Sequence, residues 1–311
     1  MADIALSKKD KKEFKPKKKT AAYLVKQNRV AYFFVAPYFL LFCVFTVLPV
    51  LVAVVLSFTY FNMLNMPTFV GLQNYIDLLF NDDLFITAVK NTFVYAVCVG
   101  PLGYMLAYLV AWFINEITPK IRAIIILLFY APAISGNGAF IWTLLFSSDS
   151  YGYINGILMY FGIINEPITW LQDTAYIMPV VIIVALWGSL GTSFLSFVAG
   201  LQGVDRSLYE AAAVDGIKNR WQELWYVTLP SMKPQLMFGA VLTISGALGV
   251  GASLAGNPSV EYAAYFISMH MSSFASERYE MGYACAIATI MFLIMIICNK
   301  LFRTVLNKIG S

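Results

Sequence analysis

Residues 175–201 read AYIMPVVIIVALWGSLGTSFLSFVAGL, a run of 27 without an Asp, Glu, Lys, Arg or His. At 1.5 Å per residue a helix of this length is about 40 Å long, more than the roughly 30 Å hydrocarbon layer of a bilayer requires. A closed barrel would instead alternate apolar and polar residues in stretches of about ten. This run is continuous, so a transmembrane helix is the structure that satisfies its backbone in lipid. Five more blocks lack the same five residue types: 30–58, 91–114, 123–146, 236–254 and 281–297. The first is overlong and is expected to tilt or to start at the interface. The expected fold is therefore all-α, a polytopic membrane protein with six transmembrane helices.

Composition agrees with that reading. The 311 residues are 60% hydrophobic and 12% charged, against roughly a quarter charged in a soluble domain. A soluble enzyme is excluded, and so is a disordered chain, because the hydrophobicity is too high. Four cysteines are too few for a secreted disulfide scaffold.

The basic residues set the orientation. Of the 21 Lys and Arg, 19 fall in the tail to Arg29, around Lys120 and Arg122, in the 202–235 loop, and from Lys300 onward. The opposite side keeps Lys90 and Arg278 against nine acids. Both termini are expected in the cytoplasm of a multi-pass protein of the cell membrane. Three parts follow: a basic tail at 1–29, a transmembrane domain at 30–306 that contains the 202–235 loop, and a C-terminus at 307–311. The eight lysines in 8–19 are read as a solvated flank of the first helix rather than a nucleic-acid arm, since only Phe14 interleaves with them. A cleavable signal peptide does not fit, because the apolar run after the tail has 29 residues, against the usual 7 to 15 or so.

None of the spans holds an ionisable residue of the kind that marks proton and ion pathways, which argues against an ion-coupled carrier. The sole histidine, His270, is expected in a solvated external loop, leaving no group for intramembrane hydrolysis. Cys43, Cys98, Cys285 and Cys298 lack CxxC spacing and are read as packing residues rather than metal ligands. The polar content of the spans is neutral: small residues for close helix approach, or a lining of hydroxyls, an amide and aromatic faces for an uncharged hydroxylated solute. The candidate lining residues are Asn137, Trp142, Trp187, Ser189 and Ser245.

The 204–234 loop, VDRSLYEAAAVDGIKNRWQELWYVTLPSMKP, reads as helix, turn, helix. Ser207 and Glu210 have capping-box spacing, so the serine can cap a helix over 208–215, and Gly216 can end it at positive φ. A second helix over 219–227 is expected to stop before Pro230. These residues resemble the EAA loop of ABC importer permeases: E-A-A, three residues, G, nine residues, I, one residue, L-P. Glu210, Ala211, Ala212 and Gly216 fit it, ten residues rather than nine then precede Val227 in the Ile position, and Leu229 and Pro230 follow. The stretches FVGLQNYIDLLF, NTFVYAV, GYINGILMYFGIINEPITWL and EMGYACAIATIMF are similar to the carbohydrate branch of that family, the maltose and glycerol-phosphate type.

The resemblance implies a sugar or oligosaccharide permease working by alternating access, with the loop as a coupling helix in a groove of an ATPase. It implies as partners a second homologous permease, two ATPase subunits and an extracytoplasmic substrate-binding protein, within membrane lipid and without nucleic acid. No G-x-x-x-x-G-K-[ST] loop occurs, so ATP and Mg belong to the partner ATPase, and no cofactor or metal is expected on this chain. A stand-alone channel or secondary carrier, or a non-transporting scaffold, are the alternatives; the loop sequence separates them.

Overall fold

The computed structural model describes residues 29–135, 138–248 and 259–309. Residues 1–28 of the basic tail, Asn137 and the end of the fifth block, 249–254, lie outside them. The chain divides into two compact units, Met1–Val52 and Ala53–Ser311. In the first, residues 29–52 are helical with one π-helical turn at Cys43–Val47, and none is buried. An apolar helix this exposed, with Phe33 and Phe34 each 76% accessible, has a surface suited to lipid.

Among the described residues, four helical runs are long and apolar enough to cross a membrane: α1 (Arg29–Leu56), α3 (Asp83–Asn115), Thr174–Gln202 and Met281–Leu301. The run Thr174–Gln202 divides at Gly191, which leaves helical geometry, into α7 (Thr174–Gly188) and α8 (Thr192–Gln202). The run Met281–Leu301 belongs to α14 (Met281–Ile309). The expected span at 123–146 is represented by α4 (Pro119–Ser135) and α5 (Gly138–Leu145), and that at 236–254 by α12 (Lys233–Leu248). Shorter helices connect these: α2 (Gln73–Ile76), α6 (Tyr153–Tyr160), α9 (Arg206–Val214), α10 (Arg220–Glu223), α11 (Leu229–Ser231) and α13 (Ile267–Ser272).

The all-α expectation needs one amendment, a pair of two-residue antiparallel strands, Thr59–Tyr60 and Thr68–Phe69. Local polar chemistry makes it. Asn62 Oδ1 accepts from the backbone of Leu64 and Asn65 to turn the chain, and buried Asn74 donates to the carbonyls of Ser57 and Thr59 at 2.8 and 2.9 Å.

The second unit is organised on α3. Its buried positions Phe85, Ala88, Thr92, Tyr95, Val99, Gly103, Ala107, Ala111 and Ile114 recur every three or four residues, so one stripe faces the protein along the whole helix. The stripe joins two apolar clusters. Near the Asp83 end it packs with Ile177, Phe266 and Ile267; near the Asn115 end it packs with Phe194, Phe197, Leu224 and Met232. Small residues set the helix separation where α8 meets α12. A Cβ at Gly239 would fall on the Phe197 ring, so only glycine allows this approach.

His270 corrects the expectation of a solvated loop residue. It is 2% exposed. Its Nε2 lies 2.9 Å from Asp82 Oδ2, its Nδ1 lies 3.4 Å from the Tyr265 hydroxyl, and the rings of Phe85 and Phe274 wall it in. Asp82 is already fixed, because its other oxygen caps α3 by accepting from Phe85 N at 2.9 Å. A loop histidine beside an anchored carboxylate gains more from that bond than from water, and folds inward.

Candidate functional site

Where α3, the break between α7 and α8, and α12 converge, they border a half-open cavity of about 370 Å³. Its polar lining is neutral and mostly hydroxyl: Tyr95, Ser189, Thr192, Ser193 and Thr243, with Gly188, Gly191 and Gly246 keeping the space open. Thr243 Oγ1 donates to the Gly239 carbonyl at 2.9 Å and lies 3.1 Å from Ser193 Oγ. Ser189 Oγ donates to the Leu186 carbonyl at 2.6 Å. Each hydroxyl satisfied by backbone retains acceptor capacity, so the cavity can offer hydrogen bonds to a hydroxylated solute without placing a charge in the span.

Of the residues proposed from sequence as a lining, Ser189 is in this cavity. Ser245 is half-buried on α12 but is not among its lining residues, because at 100° per residue it points away from the face that carries Thr243 and Ala247. Trp142 and Trp187 meet each other, edge to face at 6.1 Å. They belong to a row of rings, Phe129, Trp187, Trp142, Phe146, Trp170 and Tyr176, with successive centroids 5.5 to 6.1 Å apart. Trp170 is held by Asn155, a fully buried amide that accepts from its indole N–H at 2.8 Å and donates to the Ile168 carbonyl at 3.0 Å. Tyr95, Thr192, Ser193 and Thr243 were missed as lining residues, since helical phase is not readable from one apolar sequence.

The second feature is the loop that follows α8. Asp205, not Ser207, caps α9: its carboxylate accepts from Ser207 N at 3.0 Å, and this bond holds its pKa below the usual value. The chain leaves β geometry two residues earlier than the capping-box spacing suggested, and the aspartate is the stronger acceptor. Glu210 is thereby released from capping; it is exposed and makes no hydrogen bond or ion pair among the described residues. Gly216 takes φ +91° and turns the chain, with Ile217 N donating to the Ala212 carbonyl at 3.0 Å.

Asn219 caps α10, and the helical run that α10 opens does not stop before Pro230 as expected. A π-helical turn, Leu224–Thr228, carries the chain into α11, which holds Pro230 at its start.

The loop has two faces. Ala212, Leu224, Val227 and Thr228 are buried, and Leu229 is half-buried against the cluster that holds Phe197 and Met232. Glu210, Ala211, Val214, Trp225, Tyr226 and Pro230 are exposed, Val214 at 87% and Tyr226 at 72%. Isolated apolar residues on a surface need no explanation, but this group shares one short loop with a free carboxylate. Trp225 and Tyr226 are surface candidates that the sequence motif did not mark.

The sequence profile of binding-protein-dependent transport system inner membrane components matches residues 21–308. The chain belongs to that family. A relative among these transport components is the probable ABC transporter permease protein YesP of Bacillus subtilis (strain 168), 33% identical over 90% of this chain and 91% of its own length. The lactose transport system permease protein LacF of Rhizobium radiobacter is 34% identical over 69% of this chain and 71% of its own. The fold is that of a solved chain from a bacterial alginate ABC transporter, crystallised with an alginate pentasaccharide-bound periplasmic protein. That chain superposes with a TM-score of 0.75 at 23% identity, over 92% of this chain and 97% of its own. As an inner membrane transport component, this chain is a permease.

Proposed function

We propose that the chain is the translocating subunit of an ATP-driven importer for a sugar or oligosaccharide. The observation that carries this reading is the pairing of a neutral, hydroxyl-lined cavity within the spans with a two-faced loop at their end. The cavity suits an uncharged solute, and spans without ionisable groups cannot draw on a proton gradient, so energy has to enter from another polypeptide. The exposed Glu210, Val214, Trp225 and Tyr226 provide a surface for that polypeptide, while the buried face ties the loop to the helices that line the cavity.

In this reading six transmembrane helices leave both termini and the 202–235 loop in the cytoplasm. Glu210, Ala211, Ala212, Gly216, Leu229 and Pro230 form the ATPase-coupling element. The assembly contains a second homologous permease, two ATPase subunits that use ATP and Mg, and an external substrate-binding protein. Trp142 and Trp187 offer aromatic faces to sugar rings near the Ser189 cavity; Asn137 is the remaining lining candidate, since Ser245 lies off the cavity wall. The lactose permease at 34% identity supports the carbohydrate assignment.

Proteoliposomes carrying the four components test the reading. Uptake of the glycan that the binding protein retains should require ATP, binding protein and this chain together. ATP hydrolysis by this chain purified alone, or uptake driven by an ion gradient without ATP, would contradict it, as would a binding protein that retains only amino acids, peptides or a metal.

A further inference from the structure

At the Asn115 end of α3, Trp112 and Glu116 lie one helical turn apart and share a face. The first turn of α10 meets that face with two consecutive side chains. Arg220 forms an ion pair with Glu116, and its guanidinium lies 5.8 Å above the Trp112 ring; Trp221 packs its own ring 5.3 Å from that of Trp112. Asn219, capping α10 through a 3.1 Å bond to Trp221 N, aims both. Beside this cluster is an open notch of about 750 Å³ between the loop and the α3–α4 turn, lined by Glu116 and Arg122 on one side and Arg206, Tyr209 and Glu223 on the other. The clamp therefore bridges a gap rather than filling a packed interface.

We propose that Glu116 and Arg220, stacked on Trp112, are the positioning residues through which movement of the 206–231 loop is passed to α3, and so to the cavity that α3 lines. The inference rests on the reading of this loop as the ATPase-coupling element. The side chain of Arg220 is 58% exposed and that of Glu116 33%, and an ion pair so open to water contributes little stability. What it offers is direction: a charged fork fixed to an aromatic face holds one orientation of α10 relative to α3, where a greasy contact would slide. Because α3 carries Tyr95 and Val99 in the cavity wall on the same buried stripe, a rotation or tilt imposed at Glu116 reaches the lining along one continuous helix, through Pro101.

The test uses the reconstituted importer with its ATPases and binding protein, and compares Glu116→Arg, Arg220→Glu and the double exchange. The readouts are solute taken up per ATP hydrolysed and ATPase copurification. Each single variant is expected to lower the uptake-to-hydrolysis ratio at least fivefold with the ATPase still bound, and the exchange should return it to within twofold of the native chain. The milder Glu116→Gln and Arg220→Lys give an intermediate ratio and cover the case in which a reversal is not inserted. Unchanged ratios in the singles, or an exchange no better than the worse single, would overturn the proposal, as would loss of thermal stability with the ratio preserved. Glu210→Gln and Gly216→Val, measured alongside, separate the two readings: if they uncouple the importer and the clamp variants do not, the loop assignment stands and the clamp falls. If none of them uncouples it, the loop assignment itself fails.

Discussion

His270 Nε2 and Asp82 Oδ2 stand 2.9 Å apart across 188 residues of sequence, and the Tyr283 hydroxyl donates to the same oxygen at 2.9 Å. One carboxylate thus ties the start of α3, the short helix α13 and the start of α14, with its second oxygen spent on the α3 cap. Removing one partner leaves a buried polar group unsatisfied, which typically costs about 1–3 kcal/mol.

That pair makes stability depend on pH. Burial pushes the His270 pKa below 6.5, with Asp82 opposing and Arg278 adding to the shift. Between the unfolded value and the lower folded one, the unfolded chain binds the extra proton, so stability rises with pH in that window. The melting temperature should therefore be steady above about pH 6.5 and fall as acid takes the pH below it. In His270→Gln, which keeps an N–H toward Asp82, this part of the fall should vanish. Parallel melting curves for the two proteins would refute the linkage.

Gly239 and Phe197 make a steric prediction. Gly239→Val should cost about 1–3 kcal/mol, because the new side chain displaces the Phe197 ring from a packed position. Phe197→Leu in the same chain should recover part of the loss, since neighbouring substitutions are not additive. Thermal unfolding of the purified protein reads both; no recovery in the double variant would mean that the ring is not what glycine spares.

The exposed Glu210 carboxylate can be tested free of any capping role. Glu210→Gln should leave the melting temperature unchanged and reduce uptake per ATP hydrolysed. Asp205→Ala, which removes the actual cap while keeping Glu210, should do the reverse. Gly216→Val should impair both, since φ +91° strains a β-branched residue by about 1–3 kcal/mol. Equal coupling in Glu210→Gln and the native chain would remove the charge from the mechanism.

Within the cavity, Thr243→Val keeps the volume and deletes a hydroxyl. Uptake through the complex should drop about tenfold, the equivalent of roughly 1.4 kcal/mol for one lost hydrogen bond to solute, with the affinity of the separate binding protein unaltered. Ser193→Ala should act in the same direction, and Ser245→Ala, off the lining, should change little. If Ser245→Ala is as damaging as Thr243→Val, the pathway does not run through this cavity.

Much of the molecule is legible in the chain itself. Uncharged runs as long as 175–201 have no other way to satisfy their backbone in lipid, so the helical membrane class follows from composition and length. Gly216 is equally readable, because a glycine after a helical run is the residue that takes positive φ without strain. The cap of α9 lies two residues before the one that spacing suggests, at Asp205 rather than Ser207, since both residue types are good N-caps and the chain direction into the helix chooses between them.

What sequence could not supply were relations between distant residues. A helix that is apolar all round has little polar contrast to mark which side is buried, so whether Thr243 or Ser245 looks into a cavity is settled only when α12 packs on α8 through Gly239 and Phe197. His270 reads as a solvated loop residue until the fold brings Asp82 to it, and Arg220 as a loop charge until α3 sets Glu116 and Trp112 beside it. The helical membrane class and the family motif came from local chemistry, which the sequence alone determined. The cavity, the buried His270–Asp82 bond and the α3–α10 clamp were decided by tertiary structure, because each depends on long-range packing that no periodicity encodes.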